Sequence, residues 1–401
     1  MRRLEVFHQL GFRHSWNFQS LKKDQTGDGV ILAPRYLERV AIEDLEPRDK
    51  DFALFDPQFF LPSTPKGKLS TYSFFPEVAA GGFSTSEFPA ENGNTSAASA
   101  SAEGCVRFQV QNGFPYVVIP TRYLDGLPSD FIAKQSELFV EPFLAALDDH
   151  PDHRPVVLQL ILNDLMLKNP EYRAEILNWA TGIPRLAGVY LIISAGNRRK
   201  QLKDAELLEA ALRLIAAIDR NGMDVFVGYT NTEALLLSIA GPRAVTVGCY
   251  ENMRMFNIRT FQDDEDSDVR GPTPRLYVSR LLQWVGHNYL PFIRRVVAPG
   301  ETLFDENEYQ AEMFKPTYNW HFSKSELYKH GILEFWKQLR HVGDVVGKDR
   351  YERVAAMINT ARGWYARFDD AGIVLDADSD GSHLPLWLTV ANQFAREQGW
   401  R

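Results

Sequence analysis

Seven short, predominantly apolar runs punctuate the chain, at residues 30–33, 52–55, 116–119, 156–162, 189–193, 225–227 and 244–247. Apolar, often β-branched residues fill them without polar alternation, the pattern of strands covered on both faces. Amphipathic stretches lie between the runs. Residues 129–148 carry Phe131, Leu138, Phe139 and Phe143 near helical spacing, and residues 202–219 do the same with Leu207, Leu208, Leu212, Leu214 and Ile215. Strands alternating with helices predict βαβ units around a parallel sheet. An open, doubly wound sheet announces itself with a Gly-rich first strand-to-helix turn. Here Pro34-Arg35-Tyr36-Leu37 follows the first run, so the expected fold is a TIM-type (β/α) barrel. Its eighth strand comes either from 274–279 or from the N-terminal segment around Val6 and Phe7.

Two regions break the rhythm. Residues 61–114 form a long insertion between the second and third runs, and its Ser/Ala-rich stretch 92–101 predicts a mobile loop. Beyond residue 300 the strand pattern stops. Helices are expected over 323–341, 349–369 and 384–399, carrying Trp336, Trp364 and Trp387. The chain thus divides into a barrel over 1–299 and a small helical C-terminal subdomain over 300–401, with those helices and the 61–114 insertion as surfaces for protein partners.

Composition narrows the classes. A net charge of −8 over 401 residues argues against a generic polycationic nucleic-acid binder. Two cysteines, Cys105 and Cys249, are too few for a disulfide framework or a Cys-rich zinc site. The N-terminus has no apolar signal core and no apolar run is long enough to span a bilayer, so a cytoplasmic protein with no membrane contact is expected. The nine histidines are scattered without a His-x-x-x-His pair, and no cofactor loop is visible; neither metal nor cofactor is expected. Asp376-Ala377-Asp378-Ser379-Asp380-Gly381 matches half of a calcium loop, but its twelfth position is Trp387, and an ordinary acidic turn is expected.

Barrels gather their chemistry at the C-terminal ends of the strands. Those positions offer Arg35, Asp56, Gln58, Arg122, Asn163, Asp164, Arg198, Gly228, Asn231, Gly248, Glu251 and Arg254. Arginines present planar forks of donors suited to phosphate or carboxylate, unless they pair with Asp56, Asp164 and Glu251 as a structural network. Asp56-Pro57-Gln58 ends its strand sharply and aims a carboxylate and an amide at the mouth; Gln58 could read a purine edge, or Asp56 could simply cap the loop. Gly228 and Gly248 would let backbone approach a ligand, with Thr230 or Asn231 capping the helix between them.

Gly228, Glu233, Gly241 and Gly248-Cys249 resemble the last barrel units of the tRNA-guanine transglycosylases. Gly248 stands where that family has its nucleophilic Asp, and the zinc cysteines are missing. The family's chemistry would therefore need another carboxylate, such as Asp56 or Asp164. Asn163-Asp164 and Glu251 also resemble the Asn-Glu and Glu that retaining glycoside hydrolases place after their fourth and seventh strands, where paired carboxylates stand about 5 Å apart. The leading expectation is a barrel enzyme on a nucleotide, nucleobase or nucleic-acid substrate. Asp56, Asp164 or Glu251 would be catalytic, and Arg35, Arg122 and Arg198 would hold phosphate. A catalytically silent barrel serving as a binding subunit, and a glycoside hydrolase, are the alternatives.

Overall fold

Eight parallel strands follow one another around a barrel in the computed structural model, which describes residues 3–61, 67–75, 94–150, 153–196, 201–262 and 271–401. They are β1 (Glu5–Gln9), β2 (Gly29–Leu32), β3 (Ala53–Phe55), β4 (Val117–Ile119), β5 (Val156–Asn163), β6 (Leu186–Ser194), β7 (Asp224–Gly228) and β8 (Ala244–Gly248). Their hydrogen-bonded order is β3-β2-β1-β8-β7-β6-β5-β4. The N-terminal strand is therefore the closing one: β1 pairs in parallel with both β2 and β8. Residues 274–279, the other candidate, instead contribute β9 (Arg275–Val278), which forms a separate antiparallel hairpin with β10 (Gln283–Gly286).

One seam, between β3 and β4, lacks a strand ladder among the described residues. A side chain completes it. Gln109, on the helix Asn94–Gln111, accepts from Val118 N through Oε1 at 2.8 Å and donates to Val118 O through Nε2 at 3.1 Å. These are the two bonds a neighbouring backbone would make to that edge. The same helix corrects the expected loop over 92–101, whose residues are helical from Asn94 on. Ala98, Ser101, Ala102, Cys105 and Val106 recur on one buried face, and such small side chains allow a close helix-to-sheet approach.

Side chains alternate across the sheet, as strand geometry requires. Phe7, Ile31, Leu54, Val118, Ile161, Ile192 and Phe226 fill the barrel interior. Val6, Val30, Leu158, Leu160, Leu191 and Val225 face the helices. Ala205–Arg220 is typical of the outer layer: Asp204 caps it through Leu207 N at 3.1 Å, and Leu207, Leu208, Leu212 and Ile215 make its buried face. No helix among the described residues is long and apolar enough to cross a membrane.

The C-terminal helices run Ser325–Gly343, Gly347–Asp370 and His383–Glu397. Trp387 is fully buried, and Trp336 and Trp364 pack partly buried against the core. Arg350 ties these helices to the barrel. Its buried guanidinium donates to Val342 O, Val345 O and Gly343 O, and to Ser238 O at 2.9 Å on the helix Ala234–Ser238 between β7 and β8. Arg350→Met should therefore cost about 3 kcal/mol, since it removes the one charged donor that four carbonyls share. Urea unfolding would read this as a lower midpoint at unchanged slope.

Candidate functional site

Alternation carries polar side chains into the upper barrel interior. Gln9 ends β1, Asp56 and Gln58 follow β3, Gln159 lies on β5, Tyr190 on β6, and Tyr229 follows β7; all are buried. Asp56 is the hub. Its Oδ1 accepts from Gln159 Nε2 at 2.6 Å and from Gln58 N at 3.0 Å, and Tyr190 Oη lies 3.5 Å from its Oδ2. Tyr190 Oη also reaches Gln9 Oε1 at 3.3 Å. Burial pushes the Asp56 carboxyl up to about 7, against the opposing pull of these donors. Two neighbouring atoms, Gln9 Nε2 and Gln159 Oε1, are buried without a hydrogen-bond partner among the described residues.

The Asp56-Pro57-Gln58 element thus does cap its loop, through Gln58 N, while keeping its carboxylate in the interior. Gln58 is not free to read a base. Its Oε1 accepts from Arg35 N at 2.8 Å and its Nε2 donates to Tyr229 Oη at 3.2 Å. Both Gln58 and Tyr229 adopt positive φ, 57° and 54°, a conformation uncommon outside glycine and found where a structure holds functional groups under strain. On the mouth side, Phe60, Phe256 and Phe261 pack edge-to-face or stacked, with centroids 4.7–5.9 Å apart, and Phe256 also meets Tyr229 at 5.4 Å. These rings cover the polar interior.

The remaining expected site residues scatter. The Arg35 guanidinium lies 5.1 Å from the Phe261 centroid inside the barrel mouth. Arg122 lies 5.4 Å from Phe139, whose ring belongs to the layer between sheet and helices. Burial alone lowers Arg122 to about 9. These two arginines thus lie against different rings, and Arg198 lies outside the described residues. Asn163 spends its amide on Leu124 O, Gly126 O and Met166 N, fixing the loop after β4 rather than a ligand. Asp164, half-buried, opens the short helix Asp164–Lys168. Asn231 N donates to Glu233 Oε1 at 2.8 Å, and neither Thr230 nor Asn231 caps the helix, whose cap position is Glu233.

Both glycines serve packing. A Cβ on Gly228 would collide with the Tyr190 ring, and one on Gly248 would lie 2.6 Å from Met253. Glu251 and Arg254 come together instead in a cavity of about 410 Å³ beside the end of β8, with Asn252 and Trp284 in its lining. Asn252 Nδ2 donates to Tyr36 Oη at 3.3 Å. The pairing of Asn163-Asp164 with Glu251 also shifts by one step. With β1 counted, they follow the fifth and eighth strands, out of register with the glycoside hydrolase arrangement.

Among the described residues no group of three or more His, Cys, Asp or Glu could hold a metal ion. Asp376 and Asp378 of the acidic turn face Arg275, and Asp380 binds Lys203. Sequence reasoning missed Gln9, Gln159, Tyr190 and Trp284. A single polar residue inside an otherwise apolar run, as Gln159 is in 156–162, was the available signal.

No protein-family model and no curated protein matches the chain. Among solved structures, the dihydrodipicolinate synthase of Oceanobacillus iheyensis aligns over 97% of this chain and 96% of its own at 9% identity, with a TM-score of 0.31. So loose an overlap carries no argument, and the barrel rests on strand order and register. The resemblance to the tRNA-guanine transglycosylases is corrected accordingly. No family model matches the chain, and the glycines that suggested the resemblance accommodate Tyr190 and Met253.

Proposed function

We propose that the protein is a barrel enzyme that moves a proton to or from a small substrate, with Asp56 as the acid–base group. The observation that supports this most is the setting of Asp56. It is a carboxyl at the C-terminal end of a barrel strand, buried and raised to about 7, beside a donor (Gln9 Nε2) and an acceptor (Gln159 Oε1) that no group among the described residues uses. Carboxyls poised near neutrality in a barrel's upper layer suit general acid–base work. Tyr190 and Tyr229 would orient the reacting atoms, and the Phe256 and Phe261 rings would have to withdraw to admit them. Nothing in the arrangement of Arg35 and Arg122 favours a nucleotide over other small molecules.

The aromatic cover itself favours a second reading, a catalytically silent barrel that serves as a binding subunit. One experiment separates the two. Incubated in D₂O with pooled metabolites and followed by mass spectrometry, the enzyme should place deuterium on a carbon of one metabolite. Asp56→Asn, folded, should slow that exchange about 10²–10⁴-fold. No exchange by the wild type, or equal exchange by the variant, would leave the silent barrel.

A further inference from the structure

Beside the end of β8, Arg254 is buried and stacked over Trp284, its guanidinium carbon 3.8 Å from the ring centroid. Its Nε and Nη1 have no hydrogen-bond partner among the described residues. No ion pair joins it to a carboxylate among those residues either; Glu251 and Glu233 act on it only through their fields. An unpaired buried cation is costly, and proteins keep such groups where a ligand completes them.

Trp284 is a fixed platform. Behind it lies Gly331 of the helix Ser325–Gly343, where any Cβ would collide with the indole, and Tyr277 packs at 5.3 Å. The cavity next to this pair, about 410 Å³, is walled by Phe12, Tyr250, Trp284 and Tyr328. Tyr250 and Tyr328 stand 4.7 Å apart, and Phe12 is more than half exposed at the rim with Arg13 over its ring. That volume is of small-molecule size.

We infer that this cavity binds a small aromatic monocarboxylate, its ring against the Tyr250, Trp284 and Tyr328 walls and its carboxylate on Arg254. A planar fork of donors matches a carboxylate, and flat walls match a conjugated body. Glu251 in the lining opposes a dianion such as phosphate, and Arg275 is already engaged by Asp376 and Asp378. Arg254 has no hydrogen-bonded counterion among the described residues, and a single carboxylate would supply one. The site stands apart from the proton chemistry at Asp56 and is tested by binding rather than turnover.

The probes are 1-naphthoate and its neutral counterpart 1-naphthalenemethanol, titrated calorimetrically at pH 7 into the full chain. Naphthoate should bind about tenfold or more tightly than the alcohol. Arg254→Gln should erase that preference while melting no lower than the wild type. Should Arg254→Gln fail to fold, Trp284→Leu serves in its place; it removes the platform and should weaken both probes. Equal affinity for the two probes in the wild type, no binding of either at millimolar concentration, or a preference surviving Arg254→Gln would overturn the inference. So would undiminished binding by Trp284→Leu.

Discussion

Asp56→Asn should make the protein more stable, and increasingly so as pH rises. The Asp56 carboxyl is pushed from an ordinary 3.8 up to about 7, chiefly because burial disfavours its charged form. In the window between those values the folded chain holds a proton that the unfolded chain has released. Stability therefore falls as pH rises through it. The accumulated loss approaches about 4 kcal/mol above pH 7, from roughly three units at 1.36 kcal/mol each. Asn keeps the Oδ1 acceptor for Gln159 and Gln58 and carries no charge to desolvate. Its advantage should grow by about 2–3 kcal/mol between pH 5 and pH 8.

Other buried groups titrate in the same range without disturbing this difference. Glu233 is also pushed up to about 7, and His8 and His330 are held down near 4 by burial. The histidines act in the opposite sense: the unfolded chain takes up their protons first, so their contribution is lost as pH falls below 6.5. Wild type and variant both carry all three groups, so the difference between urea unfolding curves isolates position 56. The groups facing it, Gln9, Gln159, Tyr190 and Tyr229, are neutral throughout, since burial drives both tyrosines well above 10. A pH-independent difference would mean that Asp56 ionises normally in the folded chain. A stability gain joined to lost turnover would instead mark Asp56 as a residue kept for function at the expense of stability.

What the chain revealed in advance follows from which physical signal each feature leaves. Runs such as 156–162 are almost wholly apolar because both faces of β5 are covered, so the barrel strands were legible. The closing strand was ambiguous because Glu5–Gln9 carries Glu5, His8 and Gln9, and its polar residues mask a strand period. The helix over 94–111 was hidden because Ser and Ala give almost no hydrophobic contrast between faces. Asp56 stood among the candidates because strand ends are where barrels place reactive groups. Its partners were not, because Gln159 and Tyr190 are contributed by strand interiors, and only the inward register across β5 and β6 shows that they meet. The placement of the arginines was not legible, for the converse reason. Position after a strand does not settle which side of the sheet a long side chain takes, and Arg122 went outward to Phe139 while Arg35 went inward to Phe261.

Gly228→Ala should be strongly damaging for so small a substitution, costing about 3 kcal/mol, the upper range for overpacking a filled core. Gly228 ends β7 opposite Ile192 of β6 and faces inward. The Tyr190 ring occupies the space a Cβ would need: the added carbon would clash with Cε2 and sit 2.6 Å from Oη. The backbone is not the obstacle, since the glycine is absent from the positive-φ positions. Nor can the ring yield cheaply, because Tyr190 is fully buried and its hydroxyl is held between Gln9 and Asp56. A glycine kept for ligand approach would behave differently, leaving stability untouched and impairing only binding. The cycle with Tyr190→Phe decides the matter. Removing the hydroxyl takes away the 2.6 Å contact, so Gly228→Ala should cost about 1 kcal/mol less in the Tyr190→Phe background than in the wild type. Additive costs in that cycle would show that the methyl is accommodated elsewhere. Coupled costs would show that one glycine on β7 sets the position of the tyrosine against which Asp56 holds its proton.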